Sequence, residues 1–263
     1  MSNKRILNMT STKKKDSMAP FTNATNDGKA GGTTYSNQAA VLVGATTYIF
    51  PWIATARTAV QYNGNPGDKQ NQATRTSNVC FMRGLKERIQ VQTNDGTPWQ
   101  WRRICFTMKG YRLINNDQGG FRLAINTTSG IARVINTWAG TAIGSALVDL
   151  IFDGKNGQDW TSPFAAKLDR DVISVKYDKT RIIQSGNANG VMRNYNIWHA
   201  MNHNLNYADE EAGDTETYSS YSVEGKQGMG DYYVIDIIAA GSASTSANQM
   251  TFDPRATLYW HEK

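Results

Sequence analysis

Cysteine is almost missing from this chain: Cys80 and Cys105 are the only two in 263 residues, too few for a disulfide framework. Long apolar runs are missing too. The best candidate, AAVLVGATTYIFPWIATA, is broken by Thr46, Thr47 and Pro51, so no segment reaches the roughly 18 apolar residues a membrane helix needs. The first residues also lack the apolar core of about 7–15 residues that marks a secretory leader. These absences predict a soluble protein made inside the cell, where sequons at Asn8, Asn23 and Asn126 have no role. The excess of Ala, Glu, Lys and Leu typical of helical proteins is absent as well.

What is present favours strands. There are 12 Tyr, 7 Trp and many Thr, Val and Ile beside 23 Gly, and the mean hydropathy of −0.52 points to long polar connections. Turn-forming clusters punctuate the chain at YNGNPGDK, TNDGTP, NNDQGG, FDGKNGQDW and SGNANG. Between them lie strand-like runs: AAVLVGATTYIF, LKERIQVQ, DVISVKYDKT, DYYVIDIIA and ATLYWHE. In LKERIQVQ, Leu85, Ile89 and Val91 share a face that only Glu87 interrupts, while Lys86, Arg88, Gln90 and Gln92 share the other. The Asp95-Gly96 turn is expected to join this run to the next as an antiparallel hairpin. One helix is predicted in TAIGSALVDLIF, from Ile143, Leu147 and Ile151, although Gly144 weakens it. The fold class that follows is all-β: an antiparallel eight-stranded jelly-roll sandwich with long loops and one or two short helices.

Charge is unevenly placed. The net charge is +6, with a pI near 9.2, which suits an acidic partner. Lys4, Arg5, Lys13, Lys14 and Lys15 precede the first acid and define residues 1–20 as a basic arm, leaving 21–263 as the folded domain. A second basic zone at 75–112 includes Arg83, Lys86, Arg88, Arg102 and Arg103, whereas 209–231 is acidic. If each of the arm's five cations met one phosphate of a single strand, binding would fall with salt at a log–log slope of about −3.5, from about −0.7 per contact.

The segment WQWRRICFTM joins rings to guanidinium. As a strand it sets Ile104, Phe106 and Met108 on one face and Trp99, Trp101, Arg103 and Cys105 on the other, with Arg102 near the strand start. Two accounts stand. Rings that stack on bases and arginines that pair with phosphate would hold single-stranded nucleic acid without reading its sequence; alternatively, Trp99 and Trp101 are core rings with Arg103 lying over them. MRNYNIWHAMNHNLNY has the same duality, as an aromatic contact surface between subunits or as a strand with a buried Trp198.

Catalytic motifs are not visible. His199 and His203 have helical ligand spacing, but Asn202, Asn204 and Asn206 argue against a helix and no glutamate completes a zinc-protease motif. Cys80 and Cys105 are too far apart for a C-x-x-C pair and suit packing in strands. GKQGMG lacks the ending of a phosphate loop, Asp169 and Asp171 sit among Arg170 and Lys167, and no G-x-S-x-G elbow occurs. No enzyme activity, catalytic residue, metal or cofactor is expected.

Four segments in order, GTPWQWRRICFTMKG, RDVISVKYDKTRIIQSGNANG, GKQGMGDYYVIDII and MTFDPRATLYWHEK, closely resemble capsid proteins of genomoviruses, small circular single-stranded DNA viruses, and are more distantly similar to geminivirus coat proteins. The similarity runs from about Lys4 to Lys263. It implies a jelly-roll subunit that self-assembles into a small, T=1-like icosahedral shell around circular single-stranded DNA, without a membrane, located in the virion and in the host nucleus during assembly. The arm departs from the family's long arginine-rich one and is taken as truncated. On this basis the nucleic-acid-binding residues are expected to be Lys4, Arg5, Lys13, Lys14, Lys15, Arg83, Lys86, Arg88, Trp99, Trp101, Arg102 and Arg103. The alternative is a jelly-roll module that builds no shell, either a glycan-active enzyme or a nucleic-acid carrier.

Overall fold

Strand order defines the architecture. In the computed structural model, which describes residues 9–24 and 31–263, two antiparallel sheets face each other. One runs β1(Thr12–Met18), β15(Gln249–Glu262), β5(Val79–Thr93), β11(Met192–Asn206), with β3(Ala40–Val43) also on β15; the other runs β10(Ser174–Ile183), β6(Trp99–Met108), β14(Asp231–Ala240), β4(Thr47–Ile53). The first strand pairs with the last, and from β3 to β6 and again from β10 to β15 successive sheet strands alternate between the two sheets, while β6 and β10 pair side by side in one. With β1 and β3 sharing one edge of β15, that double Greek-key order fills the eight strand positions of a jelly roll. The hairpin expected around Asp95-Gly96 is therefore not formed: β5 pairs with β11 and β15, and the turn carries the chain across to β6 in the other sheet. AAVLVGATTYIF is likewise two strands, parted at Gly44 and Ala45, where Ala45 takes a φ of 62°.

Aromatic and β-branched side chains fill the space between the sheets. Trp52, Trp101, Trp260, Leu85, Ile89 and Phe252 are each at most 1% exposed, and each large side chain so buried stabilises by about 1.5–3 kcal/mol. A third layer covers the outer face of the β10–β6–β14–β4 sheet: α1(Ala142–Ile151) and its flanking loops pack Trp138, Leu147, Ile151 and Phe152 on Ile104, Phe106 and Ile235. Thr141 caps the helix, its side chain accepting from the Gly144 N–H. Gly144 is the one residue that fits there, because a Cβ would strike the Trp138 carbonyl. The glycine that weakens the helix in sequence thus lets it dock.

Two findings correct the sequence expectations. The arm does not extend to residue 20, because Thr12–Met18 is a full edge strand paired with β15, and Pro20–Thr22 (β2) pairs with Arg133–Ile135 (β9). Lys4 and Arg5 lie outside the described residues. The alternation in WQWRRICFTM is as expected, but both faces are covered, one by the opposite sheet and one by the α1 layer.

Glu87, the single interruption of its apolar face, sits at the centre of a buried ionic cluster. It accepts from Arg103, whose Nε and Nη2 donate to Asp236 at 2.7 and 2.8 Å, while Arg133 Nη2 also donates to Asp236 at 2.8 Å. Trp101 Nε1 adds a donor to Asp236 at 2.7 Å, and His199 Nε2 lies 3.3 Å from Glu87. Two cations oppose two anions with none of the four exposed. Burial alone would raise the Glu87 pKa; Arg103, His199 and Arg133 reverse that and hold it down to about 2. Such a cluster ties β5, β6, β9 and β14 into one register, since removing either partner of a buried pair costs about 3–5 kcal/mol.

Candidate nucleic-acid interface

Among the described residues, nothing covers the outer face of the β1–β15–β5–β11 sheet. Side chains directly opposite one another on neighbouring strands share a face, so the register lays out this surface. One row is Ser17, Thr257, Lys86, Trp198; the next is Lys15, Tyr259, Gly84, Ala200; a third is Lys13, His261, Phe81, Asn204; and Arg255, Arg88 and Asn196 form a fourth. Lys13, Lys15, Lys86, Arg88 and Arg255 are exposed here. Among the outward residues of these strands the single acid is Asp253, which already pairs with Arg255 at 3.2 Å.

Arg83 joins the same surface through a bulge. Gly84 faces Tyr259 while Met82 faces Trp260, which leaves Arg83 as the extra residue. Its guanidinium donates to Asn202 Oδ1 at 2.7 Å and lies 5.9 Å from the Phe81 ring centroid. The face is cationic enough to act on His261: partial burial, then Arg83 and Lys13, all push its pKa below the ordinary imidazole value.

Rings lie among these cations. Trp198 is 51% exposed, its centroid 5.9 Å from that of Tyr259. It is held there by a missing side chain. A Cβ on Gly84, whose φ is +155°, would come within 2.6 Å of Trp198 Cζ2, so the indole rests on bare backbone. An exposed ring beside Lys86, with Tyr259 next to it and Lys15 beyond, suits stacking on an unpaired base beside a phosphate.

Only part of the predicted set lies on this face. Lys13, Lys15, Arg83, Lys86 and Arg88 do. Trp99, Trp101 and Arg103 are fully buried between the sheets, and Arg102 is 5% exposed beneath the α1 layer. These four are corrected from ligand contacts to structural residues. Arg102 grips Asp178 at 2.8 and 2.9 Å and the carbonyls of Pro163 and Ala166 at 2.7 and 2.8 Å, so four of its five N–H donors are already taken. Lys14 is corrected in the same way. Alternation turns it inward, where Nζ donates to the carbonyls of Asp68, Asn71 and Thr74 at 3.0, 3.1 and 2.7 Å and lies 3.6 Å from Glu262.

Trp198, Tyr259 and Arg255 were not among the predicted residues. Period-two alternation from Lys86 would have selected Trp198 only once the β5–β11 register was known, because the pairing is long-range. Cys80 and Cys105 are free and buried, and burial pushes both thiols well above their usual range. Among the described residues, no group of three or more His, Cys, Asp and Glu is placed to hold a metal, and no helix is long and apolar enough to cross a membrane.

No protein-family profile matches the chain, and no curated protein matches it. Among solved structures it is weakly similar to the VP1 protein of Trichodysplasia spinulosa-associated polyomavirus in complex with 3'-sialyllactose, at 9% identity and a TM-score of 0.17, covering 95% of this chain and 94% of that one. It is also weakly similar to the Human Polyomavirus 6 VP1 pentamer, at 11% identity and a TM-score of 0.17, covering 95% and 93%. Likeness at that score carries no argument about ligands or assembly, and the jelly roll rests on the strand order itself.

Proposed function

We propose that this chain is a structural capsid subunit whose copies close into a small icosahedral shell around circular single-stranded DNA, without enzymatic activity. The observation that carries the proposal is the open β1–β15–β5–β11 face, with Lys13, Lys15, Arg83, Lys86 and Arg88 around the Trp198 and Tyr259 rings. Packing DNA regardless of sequence needs phosphate attraction and base stacking rather than base-edge reading. The four motif segments similar to genomovirus capsid proteins support the same reading, and with it a virion location and a nuclear step. Ile182 and Met192, 68% and 55% exposed on either side of the loop that joins β10 to β11, supply apolar surface for contacts between copies.

Sedimentation and electron microscopy of the purified full chain test the proposal. Closed particles that shield DNA from nuclease are the expected result. A species near 29.1 kDa, or a few times that mass, at every salt and protein concentration would replace the capsid with a non-assembling carrier.

A further inference from the structure

A cavity of about 290 Å³ opens at the β1 edge of the sandwich, away from the basic face. Asp16 lines it from the inward side of β1; Gln61, Tyr62 and Asn71 come from the connection between β4 and β5, and Asn126 and Thr128 from the β7(Asn126–Thr127)–β8(Gly130–Ile131) hairpin. Lys14 fixes the wall, because the carbonyls it binds belong to residues 68, 71 and 74 of that connection. The site is therefore preformed.

Asp16 is the chemical signal. Its side chain is 9% exposed, and Oδ2 accepts no hydrogen bond, although Arg57 Nη2 lies 3.3 Å away. Oδ2 is sealed against Arg57, so a donor from the cavity would meet the other oxygen of this carboxylate. Among the described residues the side chains of Asn126, Thr128 and Thr74 have no hydrogen-bond partner, so their amide and hydroxyl groups are open to a ligand. Tyr62, 60% exposed, adds a ring at the rim.

Charge and polarity narrow the ligand. The Arg57 guanidinium beside the carboxylate opposes a metal ion, and the carboxylate opposes an anion. Amides and hydroxyls in the wall do not suit a purely apolar molecule. A compact neutral polyol meets every requirement: a hydroxyl donates to Asp16, further hydroxyls exchange hydrogen bonds with the wall, and the C–H face of the ring lies on Tyr62. We infer that this cavity is a binding site for one neutral hexose or N-acetylhexosamine unit. The inference does not depend on shell formation, so it and the proposed function fail separately.

Saturation-transfer NMR on the full chain, in whatever assembly state it adopts, tests this with the methyl glycosides of glucose, mannose, galactose, N-acetylglucosamine and N-acetylneuraminic acid. Transfer to at least one neutral glycoside and none to the sialoside is expected. The affinity should fall by about tenfold or more in Tyr62→Ala and in Asn126→Ala, the equivalent of about 1.4 kcal/mol. Tyr62 is exposed on a loop and Asn126 is exposed on a two-residue strand of a surface hairpin, so circular dichroism should be unchanged, and the test stands even if Asp16→Asn fails to fold. No transfer to any neutral glycoside into the millimolar range, unchanged binding in both variants, or preference for the sialoside would each overturn the assignment.

Discussion

Two tryptophans separate structure from recognition. Trp101 is fully buried, donates to Asp236 at 2.7 Å and meets the rings of Tyr195 and Phe252. Trp101→Ala should cost about 3–5 kcal/mol in stability from lost burial and a cavity, read as a lowered denaturation midpoint. Trp198 packs on Gly84 and leaves half its surface to solvent. Trp198→Ala should leave the midpoint nearly unchanged and weaken oligothymidylate binding by about tenfold, within the roughly 1–3 kcal/mol of one stacked base. The opposite pattern in filter binding and denaturation would return Trp101 to the ligand and Trp198 to the scaffold.

Asp231 carries a second residue-scale prediction. It is buried and accepts from Ser222 N and Oγ and from Thr55 Oγ1, at 2.9, 2.8 and 3.3 Å. Burial raises its pKa from 3.8 to about 6, against the lowering effect of those hydrogen bonds, and no cation offsets it. A carboxyl whose pKa rises on folding stabilises the fold most below its unfolded value and loses that contribution as pH rises through the folded one. From about pH 3 to about pH 7, stability relative to Asp231→Asn should fall by an amount on the order of 3 kcal/mol. Glu87 works in the other direction: held at about 2 against an ordinary 4.5, its contribution is complete above the ordinary value and is lost only as pH falls toward 2. Denaturant titrations at several pH values check the window; a flat difference between the two proteins would mean that Asp231 ionises normally.

At the scale of the element, three consecutive lysines have different tasks because β1 is a strand. Lys13 and Lys15 face outward, whereas Lys14 faces in and satisfies three loop carbonyls. Lys14→Met should destabilise by about 3 kcal/mol or more, since it leaves Glu262 and those carbonyls without their cation, and should open residues 68–74 to proteolysis. Lys13→Gln and Lys15→Gln should do neither. Equal stability in all three variants would mean that β1 is a loosely held arm after all.

The same strand shows how far the sequence was legible. Alternation in LKERIQVQ and WQWRRICFTM gave the right faces, and the turn clusters gave most of the breaks between strands. What alternation could not reveal is which sheet a strand joins or what covers its second face. Both depend on partners more than 100 residues away, such as Trp198 opposite Lys86 and Asp236 opposite Arg103. Glu87 was visible as an exception on an apolar face, but its meaning required Arg103, Arg133 and Asp236 to be brought together. A basic run ahead of the first acid reads as a free arm for the same reason, because its partner β15 is the last strand of the chain.

For the whole molecule, charge is sorted by surface. The cations of the open sheet lie on one face, while Glu210, Glu211, Asp214 and Glu216 sit on the exposed hairpin of β12(Glu210–Ala212) and β13(Thr215–Thr217), beyond the strand end where Asn206 pairs with Val79. A polyanion would meet the first surface and be repelled by the second. If Lys13, Lys15, Arg83, Lys86 and Arg88 each contact one phosphate, the log–log salt slope for a short single strand should be about −3.5 per subunit, and each change to glutamine should flatten it by about 0.7. Charge-removing changes to Glu210 or Glu211 should leave the slope alone. In a closed shell many such faces act on one DNA molecule, so retention should survive salt that releases an oligonucleotide from a single subunit. A slope that follows the acidic hairpin and ignores Lys86 and Arg88 would put the nucleic acid on another surface and remove the observation on which the capsid reading rests.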